Sequence, residues 1–409
     1  MDAAIRQSLR KALVARRADQ FRFLAQTVRQ SSEIPPGDLV PHAQKTIERL
    51  KTQAGLTAVR HLVPTEEARA FGLKSVANLV VRHEFGPGPI VALQAHADTA
   101  PAGQGWGGNP FAAEVQNGVM YGRGTVEAKG SLAAYVFALV ALKTVNPPLA
   151  GTVELHITYD HETGGALGVP WLLEQGVVNP DYAICPGGAW TIVTRHHGAL
   201  RLAIEVRGHG QGETTGAEAT QATARVLDAL YALRAVYAAR PTVGGALPPS
   251  LSVGGIHGGE ATDAAPGAVT IGVARTLAPT EDPAKVEQDL ALHVGKAVAG
   301  LPGIVCRVRR LDLMPPLKPV PGTESLIEAL KEGARNAFDY VLTEAARAEA
   351  SDARHYAKVG IPTVLYGAGP RAPAEANIGG ADENLALDDL RRATETIACA
   401  LAVFLGARA

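Results

Sequence analysis

PIVALQAHAD (89–98) decides how the rest of the chain is read. Ile90, Val91, Ala92, Leu93 and Ala95 are apolar, with Gln94 between the last two, which predicts a strand covered on both faces at the centre of an α/β sheet. The run stops at His96, Ala97 and Asp98. Open α/β sheets bind ligands just beyond the carboxyl ends of their strands. A His with an Asp two residues on suits a metal ligand and the carboxylate that orients it. The same triplet also arises by chance in loops, so alone it decides nothing.

Upstream, NLVVRH (78–83) reads as a neighbouring strand, joined through the Gly-Pro-Gly turn at 86–88. Leu39 to Gln53 reads as a helix after a break at Pro35-Pro36. The Arg-rich N-terminus places Ile5, Leu9, Leu13 and Phe21 near helical spacing, as an amphipathic first helix does. It lacks the continuous apolar stretch of a secretory signal, although its composition resembles a transit peptide. Downstream, a Gly/Pro-rich loop (101–110) precedes YGRGTVEAKG (121–130), and an apolar helix runs from Ser131 to about Val145. TVELHITY (152–159) alternates as a strand, and 182–185 is a short one. Strands alternating with helices predict a layered α/β sheet.

Residues 199–313 change character. The predicted order is strand (199–206), helix (217–240), strands (251–256, 269–275), helix (283–298) and strand (304–310), the ferredoxin-like pattern. The ends of such a unit lie close together, so it can interrupt a larger domain. Met314-Pro315-Pro316 marks the exit, after which a helix (324–338), a strand (362–366) and a closing helix (387–405) resume the earlier pattern. The expected architecture is an α/β domain built from 1–198 and 314–409, with a small α+β domain inserted at 199–313.

Composition excludes several classes of protein. Lys plus Arg number 39 and Asp plus Glu 40, so no bulk field draws the chain to nucleic acid or anionic lipid. The longest apolar run, Leu132 to Leu142, is far too short to span a bilayer. Cys185, Cys306 and Cys399 are scattered and odd in number, which fits a reducing compartment better than a disulfide framework. A cytoplasmic protein is expected, with no nucleic-acid or membrane partner.

Two more ionisable clusters follow the first. Glu127 lies between glycines just before the apolar helix, where an acid also suits the helix dipole. Asp160-His161-Glu162 follows a strand and precedes Gly164-Gly165. Like charges packed at one site are costly unless a cation accompanies them. In this order VALQAHADTAP, WGGNPF (106–111), YGRGTVEAKG, ITYDHETGG, SDARHYAKVGIPTVLYGAG (351–369) and ADENLALDDL (381–390) resemble the zinc aminoacylase and carboxypeptidase family. That family includes acetylornithine deacetylase, succinyl-diaminopimelate desuccinylase and glutamate carboxypeptidase.

The resemblance implies a metal-dependent amidohydrolase or peptidase acting on an N-acyl amino acid or small peptide, dimerising through the inserted domain. It also implies roles for particular residues. His96 and Glu162 fall on ligand positions, Glu127 on a bridging position that is usually Asp, and His161 on the position of the general base, with Asp98 beside His96. Two further ligand positions fall on Gly187 and Gly379; Cys185, two residues before the first of them, or His161 turned inward would complete a single-metal site with His96, Glu127 and Glu162. A His that reaches the partner's site in the family falls at or near Gly212, three residues from His209. Arg275 and Arg354 match positions that bind the substrate carboxylate, and their guanidinium groups suit bidentate contacts. Zinc takes about four ligands, so the set implies one metal (zinc, cobalt or manganese) rather than two, or none. The alternative is a degenerate homologue that binds a small amide or amino acid without hydrolysing it.

Overall fold

A computed structural model describes residues 1–208, 213–240, 248–259 and 265–406; His209 and Gly212 lie outside the described residues. The chain divides into two compact units. One comprises Met1–Thr194, Pro319–Glu344 and Ser351–Ala409, and the other Arg195–Lys318 and Ala345–Ala350.

The first unit is built on an eight-stranded sheet. Its strands run, side by side, Ala58–Leu62, Ala77–Gly86, Gly151–Thr158, Ile90–His96, Tyr182–Cys185, Thr363–Leu365, Thr191–His196 and Thr343–Arg347. Ile90–His96 lies parallel to both Gly151–Thr158 and Tyr182–Cys185, and Thr363–Leu365 is parallel to Tyr182–Cys185. The parallel core therefore ends along one edge. Three strands of this sheet, Ala58–Leu62, Thr191–His196 and Thr343–Arg347, have no counterpart in the sequence reading. Their short runs contain Arg60, His61, Arg195 and Glu344, which hide the strand pattern.

Ser131–Val145 packs as a central helix, with every residue from Ser131 to Leu142 buried. An apolar residue on every face leaves such a helix no stable solvent side. The stretch Thr125–Val145 is long and apolar enough to cross a membrane, but 94% of its apolar window is buried inside the protein. The first helix, Ala3–Arg29, buries Leu9, Leu13, Phe23, Leu24 and Val28, and Phe23 meets Phe137 of the central helix edge-on at 6.1 Å.

The second unit follows strand–helix–strand–strand–helix–strand. Gly198–Gly208, Leu251–His257, Ala268–Leu277 and Ile304–Met314 form an antiparallel sheet in the order second, third, first, fourth. Leu200, Leu202, Ile204 and Val206 point to one face and pack with Val226 and Leu230 of Glu213–Ala238 and with Leu290 and Val294 of Pro283–Ala297. Period-two alternation puts all four strand residues on the covered side. Leu251–His257 and Ile304–Met314 are the edges of this sheet.

Candidate functional site

His96 is the last residue of Ile90–His96 and pairs in register with Thr158, so the 160–162 segment emerges beside it. The two backbones stay joined beyond the strands, Ala97 N–H donating to the Thr158 carbonyl at 2.9 Å. The His96 and His161 rings stack with centroids 4.1 Å apart and planes 17° from parallel.

Glu127 arrives from a separate piece of structure. Val119–Tyr121 pairs with Asn384–Ala386, which sets Tyr121 opposite Asn384 and brings Glu383 against the following turn. The Glu383 carboxylate accepts hydrogen bonds from the backbone N–H of Gly124 (3.1 Å), Val126 (3.0 Å) and Glu127 (3.2 Å), and from Arg123 Nη1 (2.8 Å). Arg123 also donates to the Pro101 and Ala102 carbonyls and lies over Trp106 at 5.4 Å. Gly124 makes the turn at φ +84°, a conformation that residues with a Cβ rarely adopt. One carboxylate thus fixes the backbone that carries Glu127.

The ligand atoms of His96, Glu127 and His161 all lie within 4.8 Å of one another; among the described residues no other set of three His, Cys, Asp or Glu donors comes this close. Both imidazoles are held from behind. His96 Nδ1 lies 3.2 Å from the Asp98 carbonyl and 3.5 Å from its carboxylate, and His161 Nδ1 lies 2.8 Å from Asp352 Oδ1. Each keeps Nε2 for a ligand. Two nitrogens and a carboxylate are a donor set that a zinc-like divalent ion accepts. The residues present therefore fit one metal.

The two positions where the resemblance implies further ligands are glycines and offer no side-chain donor. A Cβ at Gly187 would meet the backbone of Leu365 and Tyr366 at 2.9 Å, so that position is closed against the next strand. Gly379 faces open space, with no atom within 4 Å of where a Cβ would stand. Cys185 is buried at the end of its strand and outside the three-residue cluster. Glu162 is also outside the cluster and is exposed. Its backbone N–H donates to Asp98 Oδ2 at 3.0 Å, and its carboxyl feels the charges of His96, His161 and Glu127.

The electrostatics follow from burial in a charged cluster. Burial alone would lower His161, but the Asp352 carboxylate overrides it and lifts the imidazole to about 9. Burial would also lower His96, as does His161, yet Asp98 and Asp352 hold it above its usual value. Burial would raise Asp352, and His161 instead holds it well below the carboxylate range. Burial pushes Asp160 well up, helped by Asp352 and Asp98. Lys129, fully buried, is pushed by desolvation down to about 7, and its Nζ has no hydrogen-bond partner.

Arg354 donates to the Ser351 carbonyl at 2.7 Å and to the Gly164 carbonyl at 2.5 Å, tying the 351–354 turn to the glycines after Glu162. Arg275 belongs to the second unit, buried in an ion pair with Glu281 (2.6 Å) and stacked over Tyr237 at 4.0 Å. Asp352 and Glu383 are the residues that sequence reasoning missed. Both stand inside quoted motifs, SDAR and ADEN, and membership in those motifs is the available signal.

Comparison with known proteins agrees with this fold. The profile of peptidase family M20/M25/M40 matches residues 92–402. A succinyl-diaminopimelate desuccinylase from Acidiphilium cryptum is 40% identical over 100 residues, covering 24% of this chain and 26% of that protein. The match thus spans about a quarter of the relative's length. Among solved structures, a di-peptidase from Saccharomyces cerevisiae superposes with TM-score 0.72 at 15% identity, covering 99% of each chain. A Bacillus subtilis protein described as a dinuclear metal binding peptidase gives TM-score 0.68 at 16% identity, covering 96% of this chain and 99% of that one.

Proposed function

The chain belongs to peptidase family M20/M25/M40, and from that premise we propose that it is a metal-dependent amidohydrolase cleaving the amide bond of an N-acyl amino acid or small peptide at a single-metal centre. The observation that carries the proposal is the convergence of His96, Glu127 and His161 within 4.8 Å. These three would hold one zinc, cobalt or manganese ion. When bound, such an ion supplies Lewis-acid polarisation and a more acidic water.

The chain's own residues supply the rest. Asp98 and Asp352 hold the Nδ1 sides of the two imidazoles, which keeps each Nε2 available. Glu162, exposed beside the cluster, would take a proton on its carboxylate from an attacking water and return it to the leaving amine. This exchanges the roles expected for 161 and 162. What supports the exchange is that His161 stacks on His96 while Glu162 stands outside the donor set. Substrate-carboxylate binding by Arg354 or Arg275 rests on the resemblance. Arg354 already donates to the Ser351 and Gly164 carbonyls, whereas Arg275 pairs with Glu281 through Nη2 and keeps Nη1 and Nε without a hydrogen-bond partner. A homodimer through the inserted unit is the assembly proposed, supported by the edge strand Leu251–His257 with its exposed Ile256.

The test is elemental analysis of the purified protein alongside hydrolysis of a panel of N-acyl amino acids and dipeptides. One ion per chain, with activity abolished by a chelator and restored by zinc, cobalt or manganese, is the expected result. Two tightly held ions would overturn the single-metal reading. Full hydrolysis after complete metal removal would overturn the metal-dependent one.

A further inference from the structure

Asp352 makes a set of contacts that packing alone does not require. It stands at the start of the short helix Ala353–Lys358, 4% exposed, far in sequence from every other member of the site. Oδ1 accepts from His161 Nδ1 at 2.8 Å and Oδ2 from Gln94 Nε2 at 3.0 Å, while Arg354 Nη1 lies 4.0 Å away. Gln94 belongs to the same strand as His96, so the carboxylate is referenced to the rigid sheet and not to a loop. The approach is close. A Cβ at Gly165 would meet Asp352 Oδ1 at 2.9 Å, and Gly165 adopts φ +76°, so the 160–165 turn reaches Asp352 only because a glycine stands there.

We propose that Asp352 is a positioning residue that makes His161 a metal ligand, holding its imidazole through Nδ1 so that Nε2 is the donor shared with His96 and Glu127. The proposal rests on the metal-centre reading above and deepens it. A ring nitrogen bonded to a carboxylate fixes the tautomer and the ring plane, and makes the opposite nitrogen a better donor. His96 is held at the same nitrogen in a different way, Nδ1 bonding the Asp98 carbonyl at 3.2 Å with the carboxylate 3.5 Å off, so His161 is the imidazole that a carboxylate holds directly. An imidazole whose only task was to shuttle a proton would not need to stack within 4.1 Å of a second ligand ring. Asp352 itself touches no substrate atom; it acts through His161.

The variant is Asp352→Asn. The new amide keeps an acceptor for His161, and Gln94, whose Oε1 is buried without a partner, can rotate its own amide to accept from the new NH2. Metal-stripped protein is titrated with Co(II) and followed by visible absorption and calorimetry. About a 10- to 100-fold loss of Co(II) affinity, the usual effect of removing a ligand's carboxylate partner, with an altered absorption band, is expected. Affinity within about twofold of the parent, or a lowered Tm with unchanged affinity, would overturn the proposal. A second measurement needs no variant: 15N spectra of the His161 ring on zinc addition. A shift at Nε2 with Nδ1–H retained is expected, and metal at Nδ1 or an unmoved His161 refutes it. If the parent protein binds no Co(II), the metal-centre reading fails and takes this one with it. If the parent binds and Asp352→Asn binds as tightly, only this proposal fails.

Discussion

Replacing Glu383 by alanine is the most demanding test of how the candidate site is built. Its carboxylate receives three backbone N–H groups and the Arg123 guanidinium, and both charged side chains are almost wholly buried, at 1% and 3% exposure. Leaving one partner of a buried ion pair uncompensated costs about 3–5 kcal/mol. Each backbone donor stranded with it adds about 1–3 kcal/mol when considered singly, though donors sharing one acceptor do not add. A loss of at least about 4 kcal/mol follows, a large part of the roughly 5–15 kcal/mol that holds a folded domain. At about 2–4 °C per kcal/mol for a unit of this size, Tm should fall by roughly 10 °C. Urea denaturation read by tryptophan fluorescence is a suitable assay, because Trp106 lies under Arg123 and its emission reports the same region. Glu383→Gln, which keeps an oxygen for the Val126 and Glu127 donors, should lose about half as much. A change below about 1 kcal/mol for Glu383→Ala would refute the claim that this carboxylate organises the 122–127 backbone.

Two further perturbations follow from the same geometry. Gly187→Ala drives a Cβ against the Leu365 and Tyr366 backbone and should destabilise by about 1–3 kcal/mol. Gly379→Asn, in open space at φ +70°, should stay within about 0.5 kcal/mol of the parent; paired denaturation curves separate the two positions. Asp389, which accepts a hydrogen bond from Trp190 Nε1, is lifted by burial to about 6. A folded-state value above the unfolded one means that the folded protein binds the proton more tightly. Its contribution is therefore present at low pH and is lost as pH rises from about 4 through 6. Asp389→Asn should flatten that part of the stability–pH curve relative to the parent, and superimposable profiles would count against the assignment.

The alternation of covered strands and helices, and the inserted strand–helix–strand–strand–helix–strand unit, could be read from local pattern, because a period of two or an all-apolar run reports burial directly. So could the clusters at 96–98, 127 and 160–162, since strand ends in such sheets are where ionisable residues gather. Ala58–Leu62, Thr191–His196 and Thr343–Arg347 could not, because their membership in the sheet depends on neighbours distant in the chain. Which of 161 and 162 lies within reach of His96 and Glu127 could not either. Adjacent residues on a turn diverge in direction, and which one faces the donors depends on the register of Ile90–His96 against Gly151–Thr158 and on the stack of two imidazoles. Asp352 and Glu383 were hidden for the same reason. They act on residues 191 and about 260 positions away, His161 and the turn carrying Glu127. The strand bearing His96 was thus determined by sequence alone, as its apolar run is too short for a buried helix and follows a Gly-Pro turn. What surrounds its last residue was decided by tertiary structure, because only the folded chain brings carboxylates from two distant segments behind the residues they hold.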